Sequence, residues 1–171
     1  MIQRITALIL LALSSSIASA TPHTWELDNV RFDDGGAAYG WIEVDSVSGN
    51  LLGFNIRVEG GNVANFPARV YDASSGTAGQ RLSYLANPVD SFIFGGGDGD
   101  VQTILRLTPE TNLEGQIGRI SLDLSFGDGN VECQECSPYR LIVDGSLVNL
   151  AFRDGFDGSP PGTGGGGDGD G

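Results

Sequence analysis

Residues 24–47 read TWELDNVRFDDGGAAYGWIEVDSV, and this stretch decides the fold class. Its first half alternates apolar and polar residues from Trp25 onward. The alternation slips by one position at residues 28–29, which predicts a strand with a β-bulge there. The DDGG sequence at residues 33–36 predicts a turn, because glycine supplies a positive φ and aspartate tolerates one. Residues 38–47 predict the returning strand, so the stretch predicts a β-hairpin.

The buried face of this second strand is left open by the sequence. If Trp41 faces the core, Tyr39 covers its rim, as large aromatic side chains often do. If the opposite face is buried, both rings point into solvent and form a candidate platform for the faces of sugar rings. The two faces carry Tyr39, Trp41 and Glu43 on one side and Ala38, Gly40, Ile42 and Val44 on the other.

The rest of the chain repeats this pattern, in which short strands are separated by turns rich in Gly, Asp and Asn. Ten strands are predicted, at residues 24–32, 38–47, 51–58, 67–72, 81–86, 89–94, 101–108, 119–126, 139–144 and 146–152. Residues 119–126 alternate most regularly, and Asp144-Gly145 is a second strong hairpin signal. Strands with one polar face indicate antiparallel pairing, and sheets with one apolar face pack on each other. The chain is therefore predicted to be all-β, an antiparallel β-sandwich or jelly roll.

The two ends of the chain differ from this pattern. Residues 1–20 have a short positive start, a short apolar run and a small-residue cleavage site, which predicts a signal peptide cut after Ala20. Residues 154–171 read DGFDGSPPGTGGGGDGDG and predict a disordered tail or linker, with calcium binding or sorting as the alternatives. Residues 21–153 are the predicted domain, secreted or periplasmic, with no membrane insertion after cleavage.

Charge excludes one class of partner. The 171 residues contain 22 acidic side chains against 9 basic ones and carry a net charge of −13. Nucleic acids and anionic lipids are bound by clusters of basic side chains, so a chain this acidic is predicted to bind neither. The acidity favours solubility, and divalent-cation binding or life in salty water are the alternatives.

The two cysteines, Cys133 and Cys136, are predicted to form a local disulfide. Export places them in an oxidising compartment, where a disulfide is the default. A structural zinc site needs four ligands, and the only histidine is His23 near the predicted new N-terminus. A redox dithiol needs a helix start that the sequence does not indicate.

Calcium is the one cofactor that the sequence suggests. Candidate oxygen ligands stand in Asp-Gly loops, at Asp98, Asp100, Asp128 and Asn130, with Asp33-Asp34 as a further pair. The alternative interpretation is turn chemistry alone. Neither the calcium-binding nonapeptide nor the EF-hand loop fits these positions in register.

No catalytic constellation is indicated, and the chain is predicted not to be an enzyme. A Ser-His-Asp or Cys-His system needs a positioned histidine, and His23 lies at the predicted mobile end. Glu43 and Asp45 could form a glycosidase pair, because they lie two residues apart on one strand. Solvated outward-facing acids are the alternative for that pair.

The opening hairpin resembles that of a group of exported proteobacterial proteins. The resemblance rests on Trp25-x-Leu27-x-x-Val30-x-Phe32-x-Asp34-Gly35-Gly36-x-Ala38-x-Gly40-x-Ile42 with Asp45, and it extends to residues 140–150. Many members of that group end in a PEP-CTERM sorting tail, and the resemblance implies no activity. This chain lacks the Pro-Glu-Pro, the apolar span and the basic cluster of that tail. Residues 152–156 (FRDGF) resemble a terminal F-x-D-G-F motif of other exported gammaproteobacterial proteins.

The sequence thus predicts an exported, non-catalytic domain with a structural or interaction role at the cell surface or outside a Gram-negative cell. The alternative is a carbohydrate-binding module, in which calcium assists or is absent, and a secreted hydrolase is the third hypothesis. Its expected partner is a polysaccharide or another cell-surface component.

Overall fold

The structure, a computed structural model, describes residues 21–84, 87–96, 103–125, 129–135 and 137–150. These residues form ten strands, all paired antiparallel, which confirms the all-β class. The strands are β1 (Pro22–Phe32), β2 (Ala37–Asp45), β3 (Leu51–Glu59), β4 (Arg69–Asp72), β5 (Ala78–Tyr84), β6 (Asn87–Gly96), β7 (Thr103–Leu107), β8 (Arg119–Ser121), β9 (Val131–Gln134) and β10 (Tyr139–Asn149). A short 3₁₀ turn, Ala73–Ser75, follows β4.

The strands join into one hydrogen-bonded path, in the order β4-β3-β2-β1-β10-β9-β7-β6-β5, with β8 paired to β10 beside it. The ends of the path approach each other, because β3 contacts β5 and β4 contacts β6. The rings of Phe54 and Phe94 lie 4.9 Å apart across this closure. The sheet is therefore nearly closed, and its division into the two layers of a sandwich or jelly roll stays a prediction.

Strand β10 connects the two halves of the path. Its first residues, Tyr139 to Leu141, pair with β9. Its later residues pair with β1 on one side and with β8 on the other. The first and last strands of the domain are therefore neighbours at its centre.

The core fills the space that the curved sheet encloses. Apolar side chains from both halves of the path form one cluster. Full burial of one such side chain contributes about 1.5–3 kcal/mol. The members that are 0 % exposed include Trp25, Ile42, Val44, Ile56, Val58, Tyr71, Phe94, Leu105, Leu107 and Leu147.

The opening hairpin is confirmed. The β1–β2 register slips between Glu26 and Val30, where Asn29 has a φ of 52°, so the predicted bulge is present. The turn that follows is closed by the amide of Gly35 donating to the carbonyl of Phe32, 3.0 Å away. The first strand begins earlier than predicted, since His23 pairs with Val44 and is held in β1.

The predicted hairpin turn at Asp144-Gly145 is wrong, because β10 runs through it without a break. Gly145 has a φ of 147°, and a Cβ there would lie 2.9 Å from the Cα of Val30. Glycine is needed here because the bulged part of β1 passes close to the strand.

The strand predicted at residues 119–126 is also shorter than expected. β8 ends at Ser121, Leu122 makes an isolated bridge to Pro109 and donates its amide to the carbonyl of Gly145, and Leu124 is exposed. By contrast, β9 was missed, because Gly, Asp and Cys around it indicated a turn and a disulfide loop. Residues 87–88, which separate two predicted strands, are the first two residues of β6.

Candidate functional site

The outward side of β2 carries the candidate sugar platform. Ile42 and Val44 are fully buried, so the alternate residues Tyr39 and Trp41 point outward, with 46 % and 38 % of their surfaces exposed. The open question about this strand is thereby answered, since successive side chains of a strand face opposite sides. The two residues lie two positions apart on one strand, a spacing that strand geometry makes about 7 Å between their Cα atoms.

Polar side chains of neighbouring strands surround these rings. Trp41 is opposite Glu26 on β1 and Asn55 on β3, and Tyr39 is opposite Arg57. Directly opposite residues point to the same side of an antiparallel sheet. We call this surface the outer aromatic face, and its residues are Glu26, Tyr39, Trp41, Glu43, Asn55, Arg57 and Asp72.

The indole of Trp41 lies over Gly53. A Cβ on Gly53 would be 3.4 Å from Cζ3 of Trp41 and 3.4 Å from Oε2 of Glu43. The ring and the carboxylate therefore lie next to each other above the same glycine. Trp41 covers backbone that would otherwise face water, which is a structural role for the ring in addition to any binding role.

Two acidic groups of this region are fixed by hydrogen bonds. Asp72 Oδ1 accepts from Ser74 Oγ at 2.8 Å and from the Ser75 amide at 2.6 Å, and its Oδ2 accepts from Asn55 Nδ2 at 3.2 Å. The bonds from Ser74 and Ser75, led by the one from the Ser74 hydroxyl, lower the pKa of Asp72. Asp45 Oδ1 accepts from the amides of Ser48 and Val47, and these bonds lower its pKa. Asp45 thus closes a turn. Its hydrogen-bond partners therefore give no support to the hypothesis that Glu43 and Asp45 form a catalytic pair.

A buried polar network lies behind the hairpin turn, and sequence reasoning missed it. Arg140 and Glu132 are 1 % and 2 % exposed, and Arg140 Nε donates to Glu132 Oε2 at 2.7 Å. The hydroxyl of Tyr71 donates to Glu132 Oε1 at 2.6 Å. Burial and the adjacent negative charge of Glu132 raise the pKa of Tyr71 far above its ordinary value. The tyrosine therefore stays protonated and serves as a hydrogen-bond donor.

Two aromatic rings, a carboxylate and a backbone carbonyl contact the guanidinium of Arg140. It lies over the rings of Phe32 and Phe66, 4.0 Å and 4.8 Å from their centroids. Its Nη1 donates to Asp34 Oδ2 at 3.3 Å and to the carbonyl of Gly60 at 3.2 Å. The group ties the opening turn, the loop after β3 and β10 together, and these contacts identify it as structural.

A shallow pocket of about 240 Å³ opens beside this network. Its wall includes the side chains of Asp33, Asp34, Phe66, Tyr139 and Arg140. Burial alone would raise the pKa of Asp34, but the amides of Asn62 and Gly36 and the guanidinium of Arg140 outweigh it and lower that pKa. Arg140 is shared between Asp34 and Glu132, and Asp33 adds a further carboxylate to the wall, so the pocket offers a small ligand no unpaired positive charge.

The predicted calcium ligands fall largely outside the described residues. Asp98, Asp100 and Asp128 are among the positions not described. Asn130 is buried, and its side chain is used within the fold. Its Oδ1 accepts from the Thr108 amide at 2.8 Å, and its Nδ2 donates to the carbonyls of Thr108 and Asp123. It would have to release these bonds to bind a cation.

Within the described ranges, no three His, Cys, Asp or Glu side chains are placed to hold a metal ion. Cys133 is buried, but Cys136 lies outside the described residues, so the disulfide stays a prediction. The predicted signal peptide and tail lie outside them as well. Over the same described part of the chain, no helix has the length and apolarity needed to cross a bilayer.

Known proteins add no assignment to this geometry. No protein-family model matches the chain, and neither a curated protein nor a solved structure matches it significantly. The functional hypothesis therefore depends on the residues of the outer aromatic face.

Proposed function

We propose that the protein is an exported, non-catalytic interaction domain that binds carbohydrate through the outer aromatic face. The observation that carries this proposal is the joint outward orientation of Tyr39 and Trp41 on β2. Two solvated rings in one row offer apolar surfaces against which the faces of sugar rings stack.

The polar neighbours of the rings suit the same ligand class. Sugar hydroxyls both donate and accept hydrogen bonds, so a binding face needs both kinds of group. Asn55 offers an amide and Arg57 a guanidinium, whereas Glu43 offers a carboxylate. Arg57 is kept in place by Glu59, since Nη2 and Oε2 lie 2.6 Å apart.

The pKa direction of Asp45 disfavours one hydrolytic arrangement, the Glu43–Asp45 pair. A glycosidase needs one carboxyl group whose pKa is raised so that it can donate a proton near neutral pH. Asp45 has a lowered pKa, which does not suit it to that role. Export is supported by the signal-like composition of residues 1–20 and by the resemblance of the first hairpin to exported proteobacterial proteins.

A purely structural role for Trp41 is the second candidate, and its position over Gly53 favours it. The two hypotheses differ in what Trp41→Phe does to polysaccharide binding, which weakens only if the indole contacts the ligand. Phenylalanine still covers the glycine, so stability is kept under both hypotheses. Trp41→Ala lowers the free energy of unfolding by roughly 1 kcal/mol if covering is the main role of the ring.

The test uses the full chain and a panel of neutral polysaccharides. Thermal melts and pull-downs with cellulose, xylan and mannan are compared for the wild type, Tyr39→Ala and Trp41→Ala. A ligand of the folded state raises the melting temperature. We expect each substitution to weaken the binding of at least one polysaccharide by roughly 3- to 10-fold.

Tyr139→Ala is the matched control, because Tyr139 is an exposed tyrosine away from the outer aromatic face. Equal losses in Tyr39→Ala and Tyr139→Ala would show that this face is not the binding surface. Flat melts with every polysaccharide would leave the structural role of Trp41 as the better account.

A further inference from the structure

The charges around Trp41 point to a particular class of sugar, an inference that rests on the proposed carbohydrate binding. Glu26 is opposite Trp41 on β1, Glu43 lies two residues along β2, and Asp72 stands beyond Asn55 on β4. The ring thus has carboxylates on three strands around it. Arg57, which is opposite Tyr39, is paired with Glu59 and adds no net positive charge.

Among these carboxylates, that of Glu43 lies next to the indole of Trp41. Its Oε2 and the Cζ3 of Trp41 are each 3.4 Å from the position that a Cβ of Gly53 would take. A cation resting on the exposed face of the ring therefore has a carboxylate at the ring edge. A tryptophan face attracts cations through its quadrupole, and a neighbouring carboxylate strengthens that attraction.

The carboxylate of Asp72 adds to the negative charge around Trp41. Its bonds to Ser74 and Ser75 hold the carboxylate in one place and keep it ionised. Anionic glycans meet repulsion at such a surface, and neutral glycans meet no charge preference. A glycan with protonated amines gains both the aromatic and the carboxylate contacts.

We propose that the outer aromatic face selects sugars that carry a free amino group, with the ammonium placed over Trp41 and paired with Glu43. The ligand class is a glucosamine-type oligosaccharide, and Tyr39 supplies a second stacking surface about 7 Å along the strand. Acetylation of the amine removes the charge and most of this preference.

The experiment compares two pentamers that differ only in acetylation of the amine, at a pH where the free amine is protonated. Binding of glucosamine pentamer and N-acetylglucosamine pentamer to the full chain is measured by titration calorimetry at one pH and two salt concentrations. We expect the free-amine pentamer to bind roughly 5- to 10-fold more tightly at low salt. We expect Glu43→Gln to remove most of that difference and to weaken the binding of the acetylated pentamer by less than it weakens that of the free-amine pentamer, because the amide loses the charge but still hydrogen-bonds sugar hydroxyls.

Glu110→Gln is the matched control, since it removes one exposed negative charge from the loop after β7. The whole chain is acidic and attracts polycations everywhere, so an equal loss in Glu110→Gln and Glu43→Gln would overturn the inference. Glu43→Gln keeps the size of the side chain, so this arm is informative even if Trp41→Ala fails to fold.

The remaining outcomes separate this inference from the proposed function. If both pentamers bind equally and Trp41→Phe alters both alike, the platform stands and the amine preference is wrong. If neither pentamer binds and no neutral polysaccharide binds, carbohydrate binding itself is wrong. If the free-amine pentamer is favoured and Glu43→Gln abolishes the preference, the inference is supported.

Discussion

At the scale of single residues, Arg140 has the largest consequence for stability. It is almost wholly buried, and its charge is balanced by Glu132 and Asp34. A buried ion pair adds little net stability, but removal of one partner leaves the other charged and desolvated. Such a residue is more costly to remove than its pairing energy suggests.

We therefore expect Arg140→Ala to lower the free energy of unfolding by about 3–5 kcal/mol, measured by urea denaturation. Arg57→Ala is the matched control, because Arg57 forms an exposed ion pair with Glu59. That variant should change stability by less than about 1 kcal/mol. Similar small losses in both variants would show that the Arg140 network does not hold the fold.

The carboxylate of Asp34 makes a prediction about acid stability. Its pKa is lowered in the folded state, so its contribution is complete above the unfolded value of 3.8 and is lost as the pH falls through the folded value. Asp34→Asn lacks this contribution at every pH. The difference in urea midpoint between the two proteins should be largest near pH 7 and shrink below about pH 4. A difference that stays constant down to pH 2 would contradict this assignment.

At the scale of the elements, Gly40 lies where the backbone of β2 passes close to that of β3, and its substitution tests this close approach. It has a φ of 121°, and a Cβ on it would overlap the carbonyl oxygen of Asn55. Gly40→Ala should cost at least about 2 kcal/mol, because strained dihedrals and a backbone clash add together. Gly95→Ala in β6 is the control, since the nearest atom to its Cβ would be 3.8 Å away. Equal urea midpoints for the two variants would contradict this close approach of β2 to β3.

The strands also show how much of the fold a single sequence can predict. Alternation correctly placed Trp25 inward and required the bulge before Val30, because a misplaced face would bury polar residues. It failed at residues 119–126, where the pattern is regular but the ladder with β10 covers residues 119–121 and is followed by a single bond from the amide of Leu122 to Gly145. Alternation indicates which side a residue faces, and only tertiary pairing indicates how long a strand runs.

The same limit explains what was missed at the sites. Asp144-Gly145 looks like a hairpin turn until the close approach of Val30 is known. Glu132 and Arg140 look like surface residues, and Tyr71, which completes their network, is 61 residues from Glu132. The position of Tyr39 and Trp41 as a candidate pair came from spacing alone. Their outward orientation needed the burial of Ile42 and Val44.

At the scale of the whole molecule, the net charge of −13 opposes compaction. Like charges repel more strongly in the folded state, where they are closer together, and salt screens this repulsion. We expect the urea midpoint to rise as sodium chloride increases from about 10 mM to about 500 mM. A midpoint that falls would mean that ion pairs such as those of Arg81 with Asp90 and Glu114 outweigh the repulsion.

The adjacency of β1 and β10 has a consequence for how the chain folds as it is made. A nascent chain presents β1 first, yet one of the two neighbours of β1 is not synthesised until residues 142–149. Contacts so distant along the chain form slowly, and an unpaired strand edge stays reactive until they do. Completion of the sheet therefore waits until residues 142–149 have been made. Until then one edge of β1 has no strand beside it, and the growing domain stays open on that side.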